Sequence, residues 1–235
     1  MLIFPLEKGR LECNNVNDRK MRVTDIITKT MEILGEVNPM DESELTNNSL
    51  PLEALIVSYI EKSVEDVFLQ APVYVLPWNE IAGEVNVYGD GSGYWVLPDD
   101  CMGRFVIRMH GWRRDVTHAI TADDALYALQ RDVATRGGVE RPVCVLTADD
   151  EGRPILEYYS LPAYIRNPVA DKKLYVKRVA IPRQREEYGD MEIGGSPRLL
   201  VPVAMRCACY VSAALGNVPL SKYLEEETGK QILSL

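Results

Sequence analysis

The sequence predicts an α+β protein: a helical bundle of two N-terminal and two C-terminal helices, with an antiparallel β-sheet region containing one short helix inserted between the pairs. Three observations predict it. Apolar residues recur at helical spacing before Pro72 and again after Pro197. Between those prolines the spacing turns to alternation, punctuated by turns rich in glycine and aspartate. The late helix is rich in small residues, which lets neighbouring helices approach closely. On this reading residues 1–21 form an extended arm, 22–72 and 197–235 the bundle, and 73–196 the β-rich insertion.

The arm mixes Asn, Asp, Lys and Arg without a period. From Val23 the pattern is helical: Ile27, Met31 and Leu34 share a face, and Gly35 with Pro39 ends the helix. Residues 38–48 are a polar linker. Ser49 and Pro51 open the clearest helix. There Leu52, Leu55, Ile56, Tyr59, Ile60, Ser63, Val64, Val67 and Phe68 make one apolar stripe, and Pro72 stops it.

Strands are expected at 73–75, 84–88, 93–97, 104–110, 143–147, 155–159 and 174–181. Glycines in the 88–93 segment supply the turn between two strands, and residues 148–153 read as a second hairpin turn. Thr121 with Asp124 three residues on reads as a helix cap. Ala122, Ala125, Leu126, Leu129 and Val133 then form a short apolar face, stopped at Gly137-Gly138. Residues 186–197 read as a glycine-bearing loop. A helix over 198–215, capped by Gly216, is expected at the centre of the bundle, followed by a last short helix from Pro219 through Glu227.

Composition bounds the function. With 235 residues, 46% hydrophobic and 26% charged, the chain can bury a full core. Its net charge of −9 argues against general binding to nucleic acid or anionic membranes, which needs surplus Lys and Arg. Five cysteines without framework spacing fit free thiols in a reducing compartment. The N-terminus lacks the order of a signal peptide, and the most apolar stretch, 199–215, carries Arg206, so no spanning helix is expected.

No arrangement of residues points to catalysis. His110 and His118 have no Cys or carboxylate at ligand spacing, so no metal and no cofactor is expected. Cys207 and Cys209, two apart on a helix, do not share a face. The 89–93 turn lacks the GK[ST] ending of a phosphate loop. Asp99-Asp100 and Asp149-Asp150 sit at turns, where aspartate serves the backbone.

Two charge features stand out. Arg104, Arg108, Arg113 and Arg114 surround Trp112 with no acid between Arg104 and Arg114, a composition found at protein–protein interfaces. Alternation puts Arg104, Val106 and Arg108 on one strand face and Phe105, Ile107 and Met109 on the other. If the patch binds, an acidic partner surface suits it better than DNA. From Met21 to Ala71 there are ten acids against three bases, and Glu53, Glu61, Glu65 and Asp66 lie away from the apolar stripe. That face should not hold a polyanion passing nearby.

The central stretch carries a familiar order. Leu97-Pro98-Asp99 leads into 104–109 and Gly111-Trp112-Arg113-Arg114-Asp115-Val116. Tyr127, Gln130, Thr135-Arg136-Gly137, Arg141-Pro142-Val143 and Leu156-Glu157-Tyr158-Tyr159-Ser160 follow. With an opening helix ending in Gly35-Glu36-Val37 and an alanine-rich late helix, this resembles the head–tail connector (tail adaptor, or gatekeeper ring) proteins of short-tailed phages, including ring proteins of crAss-like phages. The resemblance implies a non-enzymatic virion protein of the neck or tail, made in the host bacterial cytoplasm.

It also implies a homo-oligomeric ring, dodecameric like the portal protein it docks under. Such a ring extends the channel for double-stranded DNA without holding it and offers a surface to other tail or neck proteins. The arginine–tryptophan patch would then meet partners, and the four acids would face the channel. The arm would order at an interface. Two alternatives remain: another virion structural protein, such as a tail hub or head-completion protein, or a metal-dependent cytosolic hydrolase using Asp99, Asp100 and Glu157.

Overall fold

A computed structural model describes residues 20–37, 52–82, 85–88, 90–161 and 168–235. Four helices form the bundle: α1 (Val23–Val37), α2 (Leu52–Gln70), α5 (Leu200–Ala214) and α6 (Val218–Leu233). Between them lie β-sheets and two short helices, α3 (Ala125–Arg131) and α4 (Arg185–Tyr188). The mixed α+β architecture expected from the pattern is the one observed. No described helix is long and apolar enough to cross a membrane.

The α2 stripe is buried as its spacing demands, with Ile56, Ile60, Ser63, Val64, Val67 and Phe68 inside and Val57 joining them. Helix α5 contacts α1, α2 and α6, and its small residues Ala204, Cys207 and Ala208 are fully buried at those crossings. Cys207 packs in the cluster with α1 and α2, whereas Cys209 packs in the cluster with α6, so the two thiols belong to different faces. Pro202 falls in the first turn of α5, where a missing N–H costs nothing.

Two bundle expectations change. In α1 the buried face is Val23, Ile26, Ile27, Thr30 and Ile33, and Met31 points outward. Thr30 can sit inside because its hydroxyl donates to the Ile26 carbonyl at 2.7 Å. Helix α6 runs to Leu233, beyond Glu227. Its buried stripe is Leu220, Leu224, Thr228 and Ile232, and Thr228 keeps the i+4 rhythm by donating to the Leu224 carbonyl at 2.7 Å.

Among the described residues the strands make three sheets. β1 (Lys20–Arg22) pairs with β10 (Glu192–Gly194); β2 (Trp78–Glu80), β9 (Ala170–Lys177) and β5 (Cys101–Met109) lie in the order β2-β9-β5. The third sheet contains β3 (Asn86–Val87), β4 (Gly93–Val96), β8 (Pro154–Tyr158), β7 (Cys144–Ala148) and β6 (Ile120–Thr121), also in that spatial order. The insertion is therefore not wholly antiparallel. β6 and β7 are parallel, because the chain between them crosses over through α3.

Other expectations also give way to pairing. Residues 73–75, expected as a strand, form a 3₁₀ turn after Pro72. The loop expected over 186–197 contains α4 and β10, and β10 captures the last residues of the expected arm through Met21 opposite Ile193. The remaining arm, the 38–48 linker and Glu84 lie outside the described residues. Both hairpin turns form: Tyr88 N–H donates to the Ser92 carbonyl, and Asp149 N–H to the Arg153 carbonyl, each at 3.0 Å.

Gly93 is required by close approach. A Cβ there would collide with the Asn86 carbonyl and the Tyr158 hydroxyl.

The insertion has its own core, in which Trp95, Phe105, Ile107, Met109, Trp112, Leu156 and Tyr158 interlock. Trp95 stacks obliquely on Tyr158 at 5.0 Å, and Trp112 meets Tyr158 edge-on at 6.3 Å.

Candidate functional site

Strand alternation places the arginine-bearing face of β5 as expected: Phe105, Ile107 and Met109 are buried, and Arg104, Val106 and Arg108 lie on the half-buried side. What those arginines do differs from a shared docking patch. Arg104 donates to the Ala71 carbonyl at 2.8 Å, tying β5 to the end of α2. Arg108 donates to the Trp112 carbonyl at 3.3 Å and lies 3.6 Å from Asp115. Trp112 is buried, with its indole N–H donating to the Ser160 carbonyl at 3.0 Å. Its ring is thus a core residue and is not presented to a partner. Only Arg113 and Arg114 stand fully exposed, Arg113 beside Glu140 at 3.0 Å.

The four acids of α2 also divide. Glu53 accepts from the Tyr188 hydroxyl at 2.9 Å, and Glu65 pairs with Arg178 at 3.3 Å. Asp66 pairs with Arg206 of α5 at 3.0 Å and accepts from the Tyr210 hydroxyl. Arg206 reaches on to Glu225 of α6 at 3.1 Å. Burial works against its charge, but the hydrogen bonds to Asp66 and Glu225 outweigh burial and raise its pKa. Burial and the Asp66 hydrogen bond push Tyr210 up to about 12. Arg206 therefore links three helices, through Asp66 on α2 and Glu225 on α6. Glu61 alone of the four is exposed to solvent.

The metal alternative is not assembled geometrically. Asp99 is exposed at a turn, Asp100 pairs with Lys177 at 3.2 Å, and Glu157 lies in β8 of a different sheet. Among the described residues no three His, Cys, Asp or Glu side chains are close enough to share a metal ion. An open pocket of about 460 Å³ borders Asp100, Lys177, Arg178, Val179 and Met191 where the three-stranded sheet meets the bundle. Both of its cations are already paired with carboxylates, Lys177 with Asp100 and Arg178 with Glu65.

Pattern reading missed the surface around Glu157. Its carboxylate accepts from Tyr127 at 3.3 Å and from Tyr159, and Arg131 donates to the Tyr127 hydroxyl at 3.1 Å while lying 4.8 Å above that ring. On β4, the strand next to β8, Tyr94 sits opposite Glu157 and packs against Tyr88 at 5.3 Å. Tyr88 is 55% exposed. Four tyrosines from four different stretches of chain thus gather about one carboxylate. Their sequence signal, tyrosines scattered between 88 and 159, has no period to mark it.

No protein-family model matches this chain, and no curated protein matches it in sequence.

The α3 surface is a second feature that pattern reading misplaced. Asp124, not Thr121, caps the helix by accepting from Leu126 N–H at 2.8 Å, and Thr121 belongs to β6. Leu126, Leu129 and Val133, expected inside, are 45–70% exposed, and Gln130 is the buried residue. The reason is local. The Gln130 amide donates to the Leu126 carbonyl and accepts from Gly137 N–H at 3.0 Å, which anchors the loop that follows.

Proposed function

We propose that this chain is the repeating subunit of a head-to-tail connector ring, which docks under a portal, extends the DNA channel and presents a tail attachment surface. One observation carries the reading beyond the sequence resemblance: large apolar side chains are exposed in two separate sets. Val87, Tyr88, Leu126, Leu129 and Val133 belong to the insertion. Leu69, Val73, Tyr74, Val201, Val218 and Tyr223 belong to the bundle and its edge. Subunits of a closed heterologous ring each need two unlike faces, and apolar groups exposed on both regions of the molecule supply side chains for them.

The net charge of −9 suits a channel through which DNA slides without being held. Native mass spectrometry of the chain alone and mixed with a cognate portal tests the proposal. One discrete high-order ring joined to the portal is the expected result. A chain that stays monomeric and ignores the portal overturns it. Tight, salt-sensitive binding of duplex DNA by the isolated chain would remove the channel role.

A further inference from the structure

We infer that the tyrosine face around Tyr88, Tyr94 and Glu157 receives the Arg113–Arg114 turn of a second copy. This rests on the ring reading and assigns its subunit contact. The chemistry of the receiving face is that of a guanidinium site. Aromatic rings attract cations over their faces, and arginine both stacks on such faces and pairs with carboxylates.

The protein already makes this contact once within itself, where Arg131 lies over Tyr127 beside Glu157. Among the described residues no lysine or arginine stands over Tyr88 or Tyr94. The neighbouring Arg153 is held by Asp149 at 2.8 Å and Glu151 at 3.3 Å. Burial, and after it the negative charge of Glu157, raises the Tyr88 pKa.

The incoming guanidinium comes from the turn after β5. Arg113 and Arg114 are exposed, Arg113 beside the likewise exposed Glu140, and the two other arginines of their segment, Arg104 and Arg108, are occupied by backbone carbonyls. Their turn lies beyond the β5 edge of the three-stranded sheet, where Val116 bridges to Ile107. The tyrosines lie at the β3–β4 edge of the five-stranded sheet. The two surfaces are different and complementary in charge, as a heterologous contact requires.

Two single substitutions test the contact. Tyr88→Lys puts a like charge against the incoming arginines, and Arg114→Glu reverses one of them; both positions are exposed, so the fold should be kept. Assembly is read by native mass spectrometry with portal present, and melting temperature confirms folding.

Each variant alone is expected to lose at least about tenfold of its assembled population. A mixture of the two should recover pairing, because the intact arginine turn of the first variant meets the intact tyrosine face of the second, which neither variant offers to itself. If both variants build wild-type rings, the contact is wrong and the connector reading survives. If only Tyr88→Lys fails and the mixture forms no pair, the tyrosine face serves another partner and the inference falls. If the wild type never assembles, the ring reading fails and takes this contact with it.

Discussion

The bundle and the insertion bury their side chains by different means. In the bundle an unbroken stripe on α2 meets small residues on α5, and the polar edge is closed by Asp66, Arg206 and Glu225 across three helices. In the insertion the core is aromatic and drawn from two sheets, and the short helix α3 turns its apolar residues to solvent. Both regions leave apolar side chains exposed, but on α2 the stripe itself is covered whereas on α3 it is not, and the difference teaches that amphipathic spacing identifies a helix more surely than it identifies the side that will be covered.

The largest effects are expected at the two cores. Phe68→Ala should cost about 3–5 kcal/mol, since the ring is fully buried in the core shared by α1, α2 and α5. Gly93→Ala should be comparably damaging in the insertion, through collision with the Asn86 carbonyl rather than a void. Chemical denaturation measures both, and wild-type midpoints would refute the described packing.

Next comes the clamp. Asp66→Ala leaves Arg206 with Glu225 alone and takes the acceptor from the partly buried Tyr210 hydroxyl, and should cost about 1–3 kcal/mol. The same substitution at exposed Glu61 should change stability by less than about 0.5 kcal/mol. Equal losses at the two positions would remove the distinction between structural and surface acids on α2.

Alkaline titration gives a milder, bundle-specific test. Burial pushes the Cys207 thiol up to about 12 from an ordinary value of 9.0, and Tyr210 lies at about 12 against 10.0. Both folded groups hold their protons more tightly than the unfolded chain does. Their stabilisation is therefore complete below pH 9 and is lost as pH rises from 9 towards 12. Melting temperatures should be level to about pH 9 and then fall. An Asp66→Ala chain should show a shallower fall.

The smallest effect is expected on α3. Leu129→Ser should leave stability within about 0.5 kcal/mol of wild type, because the side chain is 45% exposed. A large loss would show that the helix packs apolar side inward after all. Gln130→Ala, by contrast, should loosen the loop after α3, seen as faster amide exchange near Gly137.

What the sequence by itself determined is the set of elements whose pattern is local. The α2 stripe, the alternation through β5, the two hairpin turns and the small-residue helix α5 are each dictated by neighbours a few positions apart. Tertiary structure alone decided the pairing of Met21 with Ile193, the parallel β6–β7 step, the inward turn of Gln130 and the burial of Trp112. It also decided the meeting of Tyr88, Tyr94, Tyr127 and Tyr159 around Glu157. Each of these joins residues far apart in the chain, and their energy is gained only when both partners leave water together. No periodicity can announce such a contact, so the spacing of residues marks the scaffold while the fold selects which side chains remain available to a partner.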